Sequence, residues 1–99
     1  MALIYCVEDD ASIRELIGYA LESQHFAVKT MADGKEFWQA LEEEKPDLLL
    51  LDIMLPGESG MDILQKLRSQ TAYKSLPIII LTAKTSEFDI AKGLNKGAD

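Results

Sequence analysis

Three apolar runs in the 99-residue chain each stop at oxygen-bearing side chains. Leu3-Ile4-Tyr5-Cys6-Val7 is followed by Glu8, Asp9 and Asp10, Leu48-Leu49-Leu50-Leu51 by Asp52, and Ile78-Ile79-Ile80-Leu81 by Thr82 and Ala83. In a parallel sheet the carboxyl ends of all strands lie along one edge. If these runs are such strands, two or three carboxylates and a hydroxyl meet in one crevice. Carboxylates crowded in this way repel one another and rise in pKa unless a cation joins them. An all-oxygen, partly open site suits a hard divalent ion such as Mg²⁺. Such an ion would neutralise an incoming phosphoryl group and let a carboxylate attack it to form an acyl phosphate. Thr82 would then hydrogen-bond a phosphoryl oxygen.

The order of elements supports that geometry. Ser12 and Glu15 have the spacing of a capping box. Ile13, Leu16, Ile17, Ala20 and Leu21 then recur with helical period. Phe26 to Met31 alternates apolar and polar residues, as a strand near a sheet edge does. Asp33-Gly34 marks a turn, and Phe37, Trp38 and Leu41 form the stripe of a second helix. Helix propensity alone would make four successive leucines helical. The run is short, follows Pro46 and precedes Pro56-Gly57, so a strand buried on both faces is expected. Gly60 precedes a third helix carrying Met61, Ile63, Leu64 and Leu67. Ile78 to Leu81 reads as the clearest buried strand, and Glu87 to Asn95 as a fourth helix. Alternation of β and α elements predicts a doubly wound α/β parallel sheet with right-handed crossovers. Ligands bind such sheets beyond the strand carboxyl ends, where strand order switches.

Composition narrows the function. With 47% hydrophobic and 27% charged residues the chain can form one folded domain. A net charge of −7 disfavours direct binding to nucleic acid or to an anionic membrane. The single cysteine, Cys6, excludes an internal disulfide and a multi-cysteine zinc site. No apolar run approaches the roughly 18 residues of a membrane span, and no basic secretory leader opens the sequence. A reduced, cytoplasmic setting is the default expectation.

At these motifs the chain resembles the receiver domain of bacterial two-component response regulators. Val7-Glu8-Asp9-Asp10 resembles the family's acidic cluster. Leu50-Leu51-Asp52-Ile53-Met54-Leu55-Pro56-Gly57 resembles its phosphoacceptor strand and loop, and Leu81-Thr82-Ala83 its switch hydroxyl and small neighbour. Gly93-Leu94 and Gly97-Ala98-Asp99 resemble the approach to its fifth strand, in the style of receivers that precede winged-helix DNA-binding domains. The resemblance covers Met1 to Asp99 as one receiver domain and implies a flavodoxin-like, CheY-like sheet of order 2-1-3-4. It implies that Asp52 is phosphorylated by a sensor histidine kinase. It also implies Mg²⁺ or Mn²⁺ held by Glu8, Asp9, Asp52 and the Met54 backbone carbonyl, with Thr82 and Ala83 at the phosphoryl group. Ile13, Arg14, Leu16 and Ile17 include positions that touch the kinase in the family. The protein would act as a switch rather than an enzyme, beyond self-catalysed phosphoryl transfer and autodephosphorylation. DNA would be reached only through an output domain absent from this chain.

Each residue alone has a plainer reading. Acids favour helix N-termini, Asp52 could be a turn residue and Thr82 a helix cap. The acidic run Glu42-Glu43-Glu44 reads as a solvated helix end, Lys84 as surface, Cys6 as an inert core thiol and His25 as a loop residue. Two other functions compete. An aspartate-nucleophile phosphohydrolase would need a second acid two positions after Asp52, where Met54 stands. An interaction module that works without phosphorylation would not need the acids and Thr82.

The family has an essential lysine, an aromatic switch residue, a fifth strand and a fifth helix beyond the position of Asp99. The expectation is therefore a receiver that continues in its natural chain. The 99-residue piece would lack the catalytic lysine and would swap segments, dimerise through its fourth strand as a homodimer, or have lost its tail to truncation or disorder.

Overall fold

The computed structural model describes residues 2–81. Four parallel strands, β1 (Leu3–Val7), β2 (Ala27–Met31), β3 (Leu48–Asp52) and β4 (Ile78–Leu81), form one sheet of order β2-β1-β3-β4. Helices α1 (Ala11–Ser23), α2 (Gly34–Glu43) and α3 (Gly60–Arg68) connect them, with a short 3₁₀ turn at Thr71–Tyr73 before β4. The α/β class and the strand order are those expected. The fourth helix, Glu87 to Asn95, lies outside the described residues, as do Thr82, Ala83 and Lys84.

Side chains alternate across the sheet and divide the molecule into two layers. Tyr5, Val7, Leu49, Leu51 and Ile78 point to the face covered by α2 and α3, where Phe37, Ile63, Leu64 and Leu67 complete the core. Fully burying a residue of this kind is worth roughly 1.5–3 kcal/mol. Tyr5, fully buried, keeps its hydroxyl satisfied against the carbonyls of Ala40 in α2, 3.1 Å away, and of the helix's C-cap Glu44, 2.5 Å away. On the opposite face Cys6 pairs with Thr30, and Gly18 of α1 lies against Thr30. Helices thus flank both faces, as double winding requires.

Several local expectations are corrected. The capping box at Ser12 is not formed: Asp10 is the N-cap of α1, its Oδ1 accepting from the Ile13 amide at 3.0 Å. Ser12 falls inside the helix. Asp33-Gly34 is the start of α2 rather than a free-standing turn, with Asp33 Oδ1 accepting from the Glu36 amide. Gly60 opens α3 behind the cap Ser59, and β2 begins at Ala27. Along α1, Ile13 and Leu16 are exposed, Leu16 at 68%, Ile17 and Leu21 are half-buried, and Gly18 is the helix's buried residue. α1 lies against β1 and β2, so among the described residues β3 is covered on one face more fully than on the other. Leu49 and Leu51 are fully buried while Leu48 and Leu50 are half-buried. In β4, Ile78 is buried but Ile79 is 45% exposed.

His25 ends α1 in the left-handed conformation, at φ 70°. Its amide donates to Glu22 and the Phe26 amide to Leu21, the paired bonds of a Schellman motif. Among the described residues no helix is long and apolar enough to cross a membrane.

Candidate phosphoacceptor and metal site

Strand register assembles the site. Val7 of β1 lies opposite Leu51 of β3, so the next residues, Glu8 and Asp52, emerge side by side. β1 is the strand from which the chain winds to β2 on one side and to β3 on the other, so this crevice is the topological switch point. Ligand oxygens of Glu8, Asp9 and Asp52 all lie within 4.8 Å of one another. Glu8 and Asp52 are buried and Asp9 is exposed.

The surrounding backbone holds these groups in place. The Asp10 amide donates to Glu8 Oε1 at 3.0 Å, and the Met54 amide to Asp52 Oδ1 at 3.1 Å. Arg14 Nη1 reaches back from α1 to the carbonyl oxygens of Glu8 at 2.8 Å and Asp9 at 3.3 Å, tying the acidic loop to the helix. Its guanidinium thus serves main-chain carbonyls. Among the described residues no lysine or arginine forms an ion pair with any of the three carboxylates.

Burial raises both inner carboxyls above their ordinary range. For Glu8 desolvation leads, opposed by the Asp10 amide and reinforced by the charges of Asp52 and Asp9. For Asp52 desolvation again leads, opposed by the Met54 amide and reinforced by Asp9. Burial, with Glu8 next, pushes the neighbouring Cys6 thiol up to about 11, so it stays protonated and inert at neutral pH. An oxygen-only, partly open set of this kind, without a compensating cation among the described residues, fits a hard divalent cation. Asp9 gives the cluster an exposed side.

The carboxylates of Glu8, Asp9 and Asp52 are therefore brought together, and Met54 meets Asp52 through its amide. Thr82 and Ala83 follow Leu81, whose Cα pairs with Asp52, but themselves lie outside the described residues. Sequence reasoning missed Asp10 as the cap, Arg14 as the brace of the acidic loop and the contact of Trp38 with Glu58. Arg14 carried a signal, because one helical turn separates it from Asp10. Trp38 and Glu58 are 20 residues apart and carried none.

A parallel α/β domain with an acidic cluster at its switch point, and an aspartate at the end of its third strand, is the architecture of a signalling receiver. The chain belongs to the response regulator receiver domain family, whose profile matches residues 4–99. It is 42% identical over 96 residues to the DNA-binding response regulator MtrA of Mycolicibacterium paratuberculosis, covering 97% of this chain and 41% of that protein. The BeF3-activated N-terminal receiver domain of Klebsiella pneumoniae RstA is 38% identical, with TM-score 0.88, over 97% of this chain and 80% of that one. Vibrio cholerae chemotaxis protein CheY4 is 32% identical, with TM-score 0.91, over 99% of this chain and 82% of that one. The chain thus spans about two-fifths of the length of curated relatives such as MtrA.

Proposed function

We propose that this chain is the phosphoacceptor module of a longer response regulator, one receiver domain across its 99 residues. Asp52 accepts a phosphoryl group from a sensor histidine kinase, and the modified domain controls an output domain that binds DNA. The observation that carries this reading is the convergence of Glu8, Asp9 and Asp52 within 4.8 Å at the strand ends.

Asp52 is the nucleophile because it is the carboxylate at the end of the central β3, buried and oriented by the Met54 amide. Glu8, Asp9, Asp52 and the Met54 carbonyl would hold Mg²⁺ or Mn²⁺. When bound, that ion offsets the carboxylate charge and the charge on the transferring phosphoryl group. Glu8 and Asp9 are kept on the same side as Asp52 by the Arg14 brace. Thr82 and Ala83, placed by the sequence just beyond β4, would receive the phosphoryl oxygens. The apolar side chains Ile13 and Leu16, exposed on α1, offer a surface for the kinase. In this reading the protein works in the cytoplasm as a switch whose own residues catalyse their modification and its reversal. The DNA-binding output follows from likeness to MtrA and belongs to chain beyond this piece.

The test is incubation with Mg²⁺ and acetyl phosphate, followed by intact-mass analysis, for the 99-residue chain and a version extended beyond Asp99. One added phosphoryl group is expected in the extended version, absent in Asp52→Asn. Labelling that survives Asp52→Asn would defeat the site assignment. A 99-residue chain labelled as well as the extended one would show that the lysine expected beyond Asp99 is dispensable.

A further inference from the structure

The loop from Ile53 to Ser59 brings Met54 to the acidic site, and a second carboxylate further along it is unusually well gripped. Trp38 Nε1 donates to Glu58 Oε1 at 2.6 Å, and Lys66 of α3 pairs with the other Glu58 oxygen. The indole is itself fixed. Its ring lies 4.9 Å from that of Phe37, which is fully buried and meets Tyr5 edge-on at 6.4 Å. Gly34, the first residue of α2, leaves the space in which Glu58 sits. A Cβ there would stand 3.0 Å from Glu58 Oε1 and 3.2 Å from Ile63 Cδ1.

The two partners differ in weight. Lys66 is 61% exposed, and a solvated ion pair contributes little. The Glu58 side chain is 21% exposed, and its bond to a half-buried indole is charge-assisted and part-buried. The near half of the loop is anchored by the buried Leu55 and by the Gly60 amide on the Ile53 carbonyl. The far half is tied to α2 through Glu58.

We propose that Glu58 is a positioning residue for the acidic site: held by the Trp38 indole, it fixes the loop that presents Met54 to Asp52 and so sets the affinity for a divalent cation. This rests on reading Glu8, Asp9 and Asp52 as a cation site. Glu58 touches none of those side chains. It limits the positions that the Met54 carbonyl and amide can sample, and a pre-organised donor set binds more tightly than a slack one.

The experiment is calorimetric titration of the chain with Mg²⁺. Wild type, Glu58→Ala, Trp38→Phe and Glu58→Gln are compared, each with a cation-free thermal melt. Glu58→Ala and Trp38→Phe should bind Mg²⁺ about tenfold more weakly, as loss of supporting contacts at metal sites does. Trp38→Phe keeps a ring against Phe37 and removes only the indole donor, so its melt should stay close to wild type. Glu58→Gln keeps an oxygen acceptor for the indole and should bind nearly as wild type. Combining Glu58→Ala with Trp38→Phe should weaken binding no further than either change alone. Equal Mg²⁺ affinity across the set would overturn the proposal. So would Glu58→Gln binding as poorly as Glu58→Ala, because charge rather than the indole contact would then be the cause. Wild type that fails to bind Mg²⁺ would defeat the cation-site reading itself, an outcome visible before any variant is compared.

Discussion

Gly60 and Asp52 touch through their backbones: a Cβ on Gly60 would stand 2.1 Å from the Asp52 carbonyl oxygen and 2.8 Å from its carbonyl carbon. The first turn of α3 is therefore laid directly on the last residue of β3, and the Gly60 amide donates to Ile53 at 3.0 Å. No side-chain rearrangement can relieve that contact. Gly60→Ala should force β3 and α3 apart, with a cost of roughly 1–3 kcal/mol in urea unfolding, and weaken Mg²⁺ binding. Gly57→Ala is the control. Gly57 has φ 76° but open space around its Cα, so its cost is conformational, about 1 kcal/mol, and leaves Asp52 in place. Equal losses in the two variants would contradict the close-contact argument.

The raised carboxyls of Glu8 and Asp52 predict a pH-dependent penalty. Below their ordinary values of 4.5 and 3.8 both groups are protonated whether the chain is folded or unfolded, and no penalty exists. Above those values the unfolded chain releases its protons while the folded chain retains them. Stability therefore falls as pH rises, until the folded groups also ionise. Asp52→Asn removes one source of this effect. Its thermal midpoint should exceed that of wild type at neutral pH, and the difference should shrink on acidification. Mg²⁺ should raise the wild-type midpoint at neutral pH and lose that effect in acid, where its ligands are protonated. A midpoint difference that does not vary with pH would disprove the account.

The helix start offers a direct contest between two acceptors. Asp10 Oδ1 accepts from the Ile13 amide, whereas Ser12 lies within the first turn of α1. Asp10→Ala should cost about 1 kcal/mol, the usual loss for an N-cap. Ser12→Ala should leave stability nearly unchanged, since alanine is the best helix former. Equilibrium unfolding in denaturant distinguishes them, and the reverse ranking would restore the capping box.

His25 holds a backbone conformation that suits glycine. At φ 70° an L-residue pays a steric penalty of roughly 1 kcal/mol that glycine avoids. His25→Gly should therefore stabilise the chain, read as a higher denaturation midpoint with an unchanged slope. A lower midpoint would mean that the imidazole makes a compensating contact.

Much of the site was legible because its parts are the ends of elements. Short apolar runs closed by Glu8, Asp9 and Asp52 announce strands whose polar ends meet once the strands are parallel. The chemistry follows from residue type, since carboxylates alone suit a hard cation. The same pattern marked β3 as a strand buried on both faces, whereas only Leu49 and Leu51 of its leucines are fully buried.

Other features needed three dimensions. The stripe of Ile13 and Leu16 has helical period, but period says only that one face is apolar. The tertiary arrangement decides what lies against that face, and among the described residues Ile13 and Leu16 are exposed. The spacing in the sequence pointed to Ser12 as the cap, and the structure has Asp10 there instead. Trp38 and Glu58 show the limit most clearly. An indole on α2 and a carboxylate in a loop, 20 residues apart, follow no periodic rule. Their contact exists because β3 lies beside β1 and so carries its loop past the start of α2.

The sequence by itself determined which residues end the strands and what kind of ion such residue types would suit, because those properties are local to the chain. The tertiary structure decided which ends are neighbours, how deeply Glu8 and Asp52 are buried, and how the loop between Asp52 and Gly60 is held. Burial and non-local contact depend on strand register and helix placement, and no short stretch of residues encodes either.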